Sequence, residues 1–346
     1  MKIKNLIVLL LTLTLMMSAL DAFASGSKIG TAGAVELTIP MGARNVALSG
    51  ADIAGVGGNE AMYWNPAGVA TVQNTEASFS YLKYFADMTI SYFTVSSNVG
   101  QLGVFGLNLQ ALNIGDINVT TIEVPEGTGE VLKPNYLTLG GTFARSFTDR
   151  INFGMNAKFI SERIGDMTAS AFAFDFGLQY RSPFGVDFGV VMKNYGSTLE
   201  FSGSSVEFDT EIPWANPNAT TRKTALDMAA NELPASMNLG LSYDYNFADI
   251  HKVTIAGTYA NNSYDVDKAH VGVEYSLKDI VFGRIGYVNP FYPDDYPDSA
   301  EESQFGLSLG FGIHLLYGGH VIMFDYAYRD MDLFDANQYF TLGISL

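Results

Sequence analysis

Four histidines, His251, His270, His314 and His320, are the residues of this chain best suited to acid–base or metal chemistry. Their spacing supports neither. They fall in separate segments, with no H-E-x-x-H pair, no G-x-S-x-G nucleophile turn and no phosphate-binding glycine loop. His270 and His314 share the polar side of their segments, where an imidazole serves as plain polar lining. The run "YPDDYPDSAEES", Tyr292 to Ser303, gathers five carboxylates without a base. A calcium loop needs ligands at alternate positions and a closing Glu, a spacing this run lacks. Solvation and mutual repulsion are its expected role, with loose divalent bridging to lipopolysaccharide as the alternative. No catalytic residue, metal ligand or cofactor site is assigned from these patterns.

The remaining charges carry more information through the side they occupy. Lys158, Asp175, Asp187, Lys193, Asp244, Glu274, Arg284 and Asp325 all sit in alternating segments, opposite the apolar residues. Ile151, Phe153, Met155, Ala157 and Phe159 share one face, and Asn152, Gly154, Asn156 and Lys158 the other. The same period of two runs through Phe172 to Tyr180, Leu233 to Tyr245 and Phe305 to Leu315. Only Arg145 falls on the apolar side, beside Leu137, Leu139 and Phe143, close enough to a turn to snorkel.

Counting such runs gives about fourteen strands, near 75–84, 87–98, 101–113, 135–147, 150–163, 168–181, 184–194, 233–247, 251–261, 267–277, 279–289, 303–316, 319–329 and 337–346. Connections after even-numbered runs are short, and the long ones, 114–134, 195–232 and 290–302, follow the third, seventh and eleventh. Strict alternation of short and long is expected of an up-and-down transmembrane barrel. A soluble sandwich gives no reason to sort loops by parity. A lipid-facing Arg or Lys near the midplane costs about 2–4 kcal/mol, which explains the charge placement. The fold class is therefore all-β, a transmembrane antiparallel barrel of about fourteen strands.

Export is expected from residues 1–24, where Lys2 and Lys4 precede an apolar run, Leu6 to Met17, and an Ala22-Phe23-Ala24 cleavage site. Their removal makes the formal charge of −17 one unit more negative, which disfavours a nucleic-acid partner. The chain has no cysteine, hence no disulfide framework. No later segment offers 18 consecutive apolar residues for a membrane helix. The last residues, "QYFTLGISL", alternate to Leu346, as expected of a strand that outer-membrane barrel assembly machinery receives.

Residues 25–74 do not alternate and precede the barrel run of 75–346. Rich in Gly and Ala, with a short helix expected through Ala43–Leu48, they are too few to bury a core. Fourteen strands enclose a lumen too wide for their own side chains, since about eight strands can just fill theirs. A hatch folded into that lumen would complete both parts. Within it, "MGARNVALSGADIAGVGGNEAMYWNPAGVA" resembles the N-terminal signature of the PorV/PorQ family of outer-membrane proteins, a branch of the FadL-like barrels. Gly42, Ala43 and Arg44, the run Ser49-Gly50-Ala51, and Asn65, Pro66, Ala67 and Gly68 carry the resemblance. "LPASMNLGLSYDY", Leu233 to Tyr245, is similar to a Leu-Pro-led strand of that family. Leu346 departs from the usual aromatic end.

The resemblance implies an N-terminal hatch wedged by Tyr63 and Trp64, and a role in protein export of the type IX kind. Long outer loops would then receive secreted proteins that share a C-terminal domain. Loop 195–232, with Trp214 and the apolar patch of Ala225, Leu226 and Met228, suits such a surface. The alternative is passive passage of hydrophobic small molecules through a plugged lumen and a lateral opening, as in FadL. That reading needs an apolar pocket, whereas the inward residues read from alternation are mostly Gly, Ser, Asn, Thr and charges, with Phe282 an exception. The expected surroundings are outer-membrane lipid.

Overall fold

The computed structural model describes residues 28–211, 221–248, 250–292, 306–331 and 335–346. The leader at 1–24, Trp214 and most of the acidic run lie outside the described residues. Fourteen strands close into one antiparallel barrel. They are β1 (Thr75–Lys83), β2 (Thr89–Asn98), β3 (Val104–Asn113), β4 (Asn135–Thr148), β5 (Ile151–Ile164), β6 (Met167–Arg181) and β7 (Val186–Gly196). The second half comprises β8 (Ser236–Phe247), β9 (His251–Asn262), β10 (Asp267–Leu277), β11 (Val281–Phe291), β12 (Leu307–Tyr317), β13 (His320–Arg329) and β14 (Asn337–Ser345). Each strand pairs with its sequence neighbours, and β14 meets β1 from Glu76↔Ser345 to Lys83↔Gln338. Closure leaves no open edge, the condition for a sheet to cross hydrocarbon with every backbone group paired.

The outward face is apolar. Phe93, Leu107, Leu139, Phe172, Phe176, Val271, Ile285, Phe311 and Leu342 are all exposed on it. Inward positions alternate with them and are buried, including Asn108, Thr142, Asn156, Asp175, Glu274 and Arg284. Arg145 is exposed three residues before the end of β4, next to the turn. No helix among the described residues is long and apolar enough to cross a membrane.

Two expectations need correction. The eighth strand starts at Ser236 rather than Leu233, because Leu233 turns inward and is buried against Ala34, Leu37 and Leu199. The long connections do lie at one end of the barrel, but that end also carries tight links, residues 165–166 between β5 and β6 and 263–266 between β9 and β10. Parity thus sorts the direction of the chain and not the length of each link. The long connections also hold small hairpins of their own, Ile117–Asn118 with Val131–Leu132 and Glu207–Glu211 with Thr221–Ala225.

Residues 28–74 run through the interior of the ring. They form a 3₁₀ turn (Val35–Thr38), a helix α1 (Ala43–Ala47), a helix α2 (Ala61–Trp64) and a second 3₁₀ turn (Pro66–Thr71). Inward side chains from all round the wall bond to this segment. Thr341 on β14 accepts from Ala43 N at 3.0 Å, and Thr258 on β9 donates to Ala51 O at 2.7 Å. Gln179 on β6 donates to Val56 O at 2.8 Å, and Gln110 on β3 to Glu36 O at 3.1 Å. Glycine on the wall admits the backbone of the segment. Gly154 and Gly177 lie against Asn65, Pro66 and Ala67, Gly286 against Leu48, and Gly310 against Ala47. A Cβ at Gly189 would stand 2.7 Å from Ala54 Cα and Ile53 O, inside normal contact.

The two faces of one strand predict opposite tolerance to charge. Leu139→Arg, placed mid-strand on the outer face, should lower stability by about 2–4 kcal/mol in urea titrations of the protein folded into lipid vesicles. Arg145→Leu, at the turn end of the same face, should change it little.

Candidate functional site

The segment "NPAG" sets the seat of the hatch. Pro66 excludes Asn65 from helical geometry, and Asn65 is extended at φ −154°, ψ 103°. Its side chain then ties three pieces together. Asn65 Oδ1 accepts from Ala67 N at 3.2 Å, while Nδ2 donates to Ile53 O at 2.8 Å and to Leu178 O of β6 at 3.3 Å. Pro66 opens the 3₁₀ turn, where a missing N–H costs nothing. Gly68 packs on the Val56 carbonyl, where no larger residue fits. Trp64 Nε1 donates to Met41 O at 2.7 Å and Tyr63 OH to Leu37 O at 3.1 Å, so the aromatic pair braces the two ends of the hatch.

A chain of buried charges fastens the other side. Arg44, next to Gly42 and Ala43 at the start of α1, donates through Nε and Nη2 to both oxygens of Glu274 on β10, each at 3.0 Å. Nη2 also reaches Asp52 at 3.0 Å within the hatch. Glu274 in turn accepts from Arg284 of β11 at 2.5 Å, Arg284 donates to Asp325 of β13 at 2.6 Å, and Asp325 meets His314 of β12 at 3.1 Å. The hatch and four wall strands therefore share one network of alternating sign. Beside it, burial pushes the Glu60 carboxyl up to about 7, against Arg44 and the Asn45 amide, which draw it down. Asp52 and Glu60 escaped the sequence reading. Two acids in a Gly/Ala-rich segment, eight and sixteen residues after Arg44, were the available signal.

The remaining lumen charges form separate groups. Lys158 and Asp175 pair at 2.7 Å across β5 and β6, and Lys158 also donates to Asn194 at 2.7 Å. Asp175 accepts from Asn194 N at 2.8 Å, at the point where the β6–β7 register shifts between Phe174 and Phe176. Asp244 pairs with Lys252 at 2.8 Å near the turn end, and Asp187 lies half-buried on β7. Neither joins the central network. His270 Nδ1 donates to Ser49 O at 2.6 Å, which makes it a structural support of the hatch.

Between the hatch and the long-loop ends of β7–β11 and β13 lies a cavity of about 500 Å³. Its apolar lining comes from the hatch, through Leu37, Ile39, Val46, Tyr63 and Trp64, and equally from the strands and their links, through Tyr84, Ala260, Tyr264, Val266 and Val288. This corrects the expectation of a lumen without an apolar pocket. Alternation along strands reports only what the strands contribute, and the missing lining arrives from residues 28–64 and from links between strands, among them Tyr84, Tyr264 and Val266. Lys193 joins the cavity from β7, with its ammonium 3.8 Å from the Tyr63 ring centroid and 5.7 Å from that of Trp64. It is 7% exposed and has no carboxylate within ion-pair distance among the described residues.

Loop residues expected to face a partner divide. Leu226 is 59% exposed and Met228 36%, just past the base of the small hairpin. Leu199 and Leu233 of the same connection turn inward onto Ala34 and Leu37, and Gly33 N donates to Glu232 O at 2.9 Å. At its base the connection is pinned across the β5–β6 link. Asp166 accepts from the Ser204 and Ser205 hydroxyls and from Ser205 N at 2.7 Å, bonds that hold its carboxyl down to about 2.

Removing Glu274 takes away the carboxylate that the two arginines share and leaves Arg44 with Asp52 alone and Arg284 with Asp325 alone. Glu274→Ala should therefore cost less than about 3–5 kcal/mol, the penalty of a fully uncompensated buried charge. It should lower the melting temperature and raise the frequency of open events in planar bilayers, whereas Asp244→Ala, outside the network, should do neither.

No family profile and no curated protein sequence matches the chain. Solved structures do. A monoaromatic hydrocarbon channel, CymD, superposes with a TM-score of 0.54 at 12% identity, over 88% of this chain and 96% of that one. A FadL homologue of Pseudomonas aeruginosa gives 0.55 at 11%, over 88% and 98%. The toluene transporter TodX of P. putida gives 0.54 at 12%, over 88% and 97%. At such identities the likeness is one of architecture, and the chain has the FadL-like barrel fold.

Proposed function

We propose that the protein is a non-enzymatic outer-membrane channel for passive passage of hydrophobic small molecules. The observation that carries this reading is the cavity, where the hatch brings Leu37, Ile39, Tyr63 and Trp64 against Tyr264, Val266 and Val288, and where the ammonium of Lys193 sits over the Tyr63 ring. Pockets for small ligands are mostly apolar with a few placed polar groups, and this one follows that design. Fold-mates named as hydrocarbon or toluene channels lend support. The way out would be sideways at the β6–β7 irregularity, beside the cavity residues Lys193 and Asn194. A barrel closed to large solutes by its hatch suits that route.

The resemblance to PorV/PorQ supports the other reading, reception of secreted proteins in type IX export. The exposed Leu226 and Met228 fit it. The inward turn of Leu199 and Leu233, however, commits much of that connection to covering the hatch. Uptake is the better-supported function.

The chain has two tryptophans, so Trp214→Phe leaves Trp64 as the only indole, on the wall of the cavity. Toluene or a medium-chain alkane should then quench its emission saturably, and Tyr63→Ala should weaken the effect. A flat titration, with a secreted protein's C-terminal domain binding the outer loops instead, would sink the uptake reading. Deleting residues 26–72 should convert a closed barrel into one of large conductance, and an unchanged trace would show that this segment does not plug the lumen.

A further inference from the structure

Where the hatch enters the lumen, two carboxylates face one another. Glu36, in the first 3₁₀ turn, and Glu162, on β5, are 2% and 4% exposed. Their side chains are close enough to perturb each other directly, and burial together with Glu162 raises the Glu36 carboxyl to about 8. Neither forms an ion pair with any described residue. Their surroundings are apolar, Ala34, Leu37, Ile160 and Ala169 among them. Gln110 fixes the turn through Glu36 O. Yet both Glu36 carboxylate oxygens and Oε1 of Glu162 are buried with no hydrogen-bond partner.

A third residue adds an independent acceptor. Thr138 on β4 lies opposite Gln110 and one step along from Tyr136, the partner of Glu162. Its Oγ1 is likewise buried and unpartnered. Diagonal neighbours on adjacent strands stand within reach of a long side chain such as Glu162. The pocket thus holds several unpartnered oxygens and no cationic side chain. A proton shared between the two carboxyls would occupy one oxygen of each, and Glu162 also accepts from the Ala34 amide, but the second Glu36 oxygen and Thr138 Oγ1 would stay without a partner. A hard divalent cation satisfies all of them and cancels the two charges, which the apolar surroundings demand. No three His, Cys, Asp or Glu converge among the described residues, so a zinc-type set is lacking. We infer that Glu36, Glu162 and Thr138 form a binding site for a calcium-class divalent cation, completed by water, which fastens the hatch's leading turn to the wall.

The test uses the full-length protein in detergent, with terbium as the probe and Tyr136 as the adjacent sensitiser. Wild type should show a saturable emission that calcium displaces, above a non-saturable background from the acidic surface loops. Glu36→Gln/Glu162→Gln should lose the saturable phase and keep the background. Thr138→Val, which removes one ligand and no charge, should weaken it, and calcium should raise the melting temperature of wild type relative to EDTA. Equal emission from wild type and the double variant overturns the site. So does a wild-type melting temperature that responds to pH but not to calcium, since a shared proton then holds the pair.

Discussion

A ring of fourteen strands encloses more space than its own inward side chains occupy, and the structure answers to that shortfall. Hydrocarbon outside requires every backbone group to be paired, which closure from β1 to β14 achieves. Closure at this strand number creates a lumen, and the lumen has to be filled or left as water. Here residues 28–74 fill it, and the wall is shaped to receive them. Glycine on β5, β6, β7, β11 and β12 lets the hatch backbone lie directly on the sheet, and longer polar side chains between those sites meet its N–H and C=O groups.

The hatch then makes the site. It has too few residues for a core of its own, yet it presents Tyr63, Trp64, Leu37 and Ile39 to a space bounded by polar strand ends. A wall of glycine, serine and asparagine would by itself make a wet pore. With the hatch in place the same barrel contains a cavity that an apolar guest would prefer to water. Buried charge stabilises that arrangement only because it is alternated. Arg44 and Arg284 flank Glu274, and Asp325 meets Arg284 as well as the His314 imidazole, so each arginine and each carboxylate faces an opposite charge.

Much of the barrel was legible because lipid and lumen impose a two-residue alternation that survives any change of detail. Strand number, the inward placement of Lys158, Glu274, Arg284 and Asp325, and the end of the barrel that carries the long loops all follow from it. What escaped reading has a common cause. Leu233 looked like another outward position because alternation continues past the point where the chain leaves the sheet. The apolar cavity was hidden because much of its lining comes from segments without periodicity, and a pocket made between two parts of a chain leaves no mark in either alone. Asp52, Glu36 and Glu162 belong to the same class, since each acquires its meaning from a residue far away in sequence.

The breadth of contact between hatch and wall bears on how the molecule is made. Bonds from the segment reach β3, β6, β9, β10 and β14, and the bulky Trp64 sits well inside the ring. A finished cylinder offers no easy way to thread so broad an insert past its rim. A seam between the first and last strands that closed last would seal an already occupied vessel.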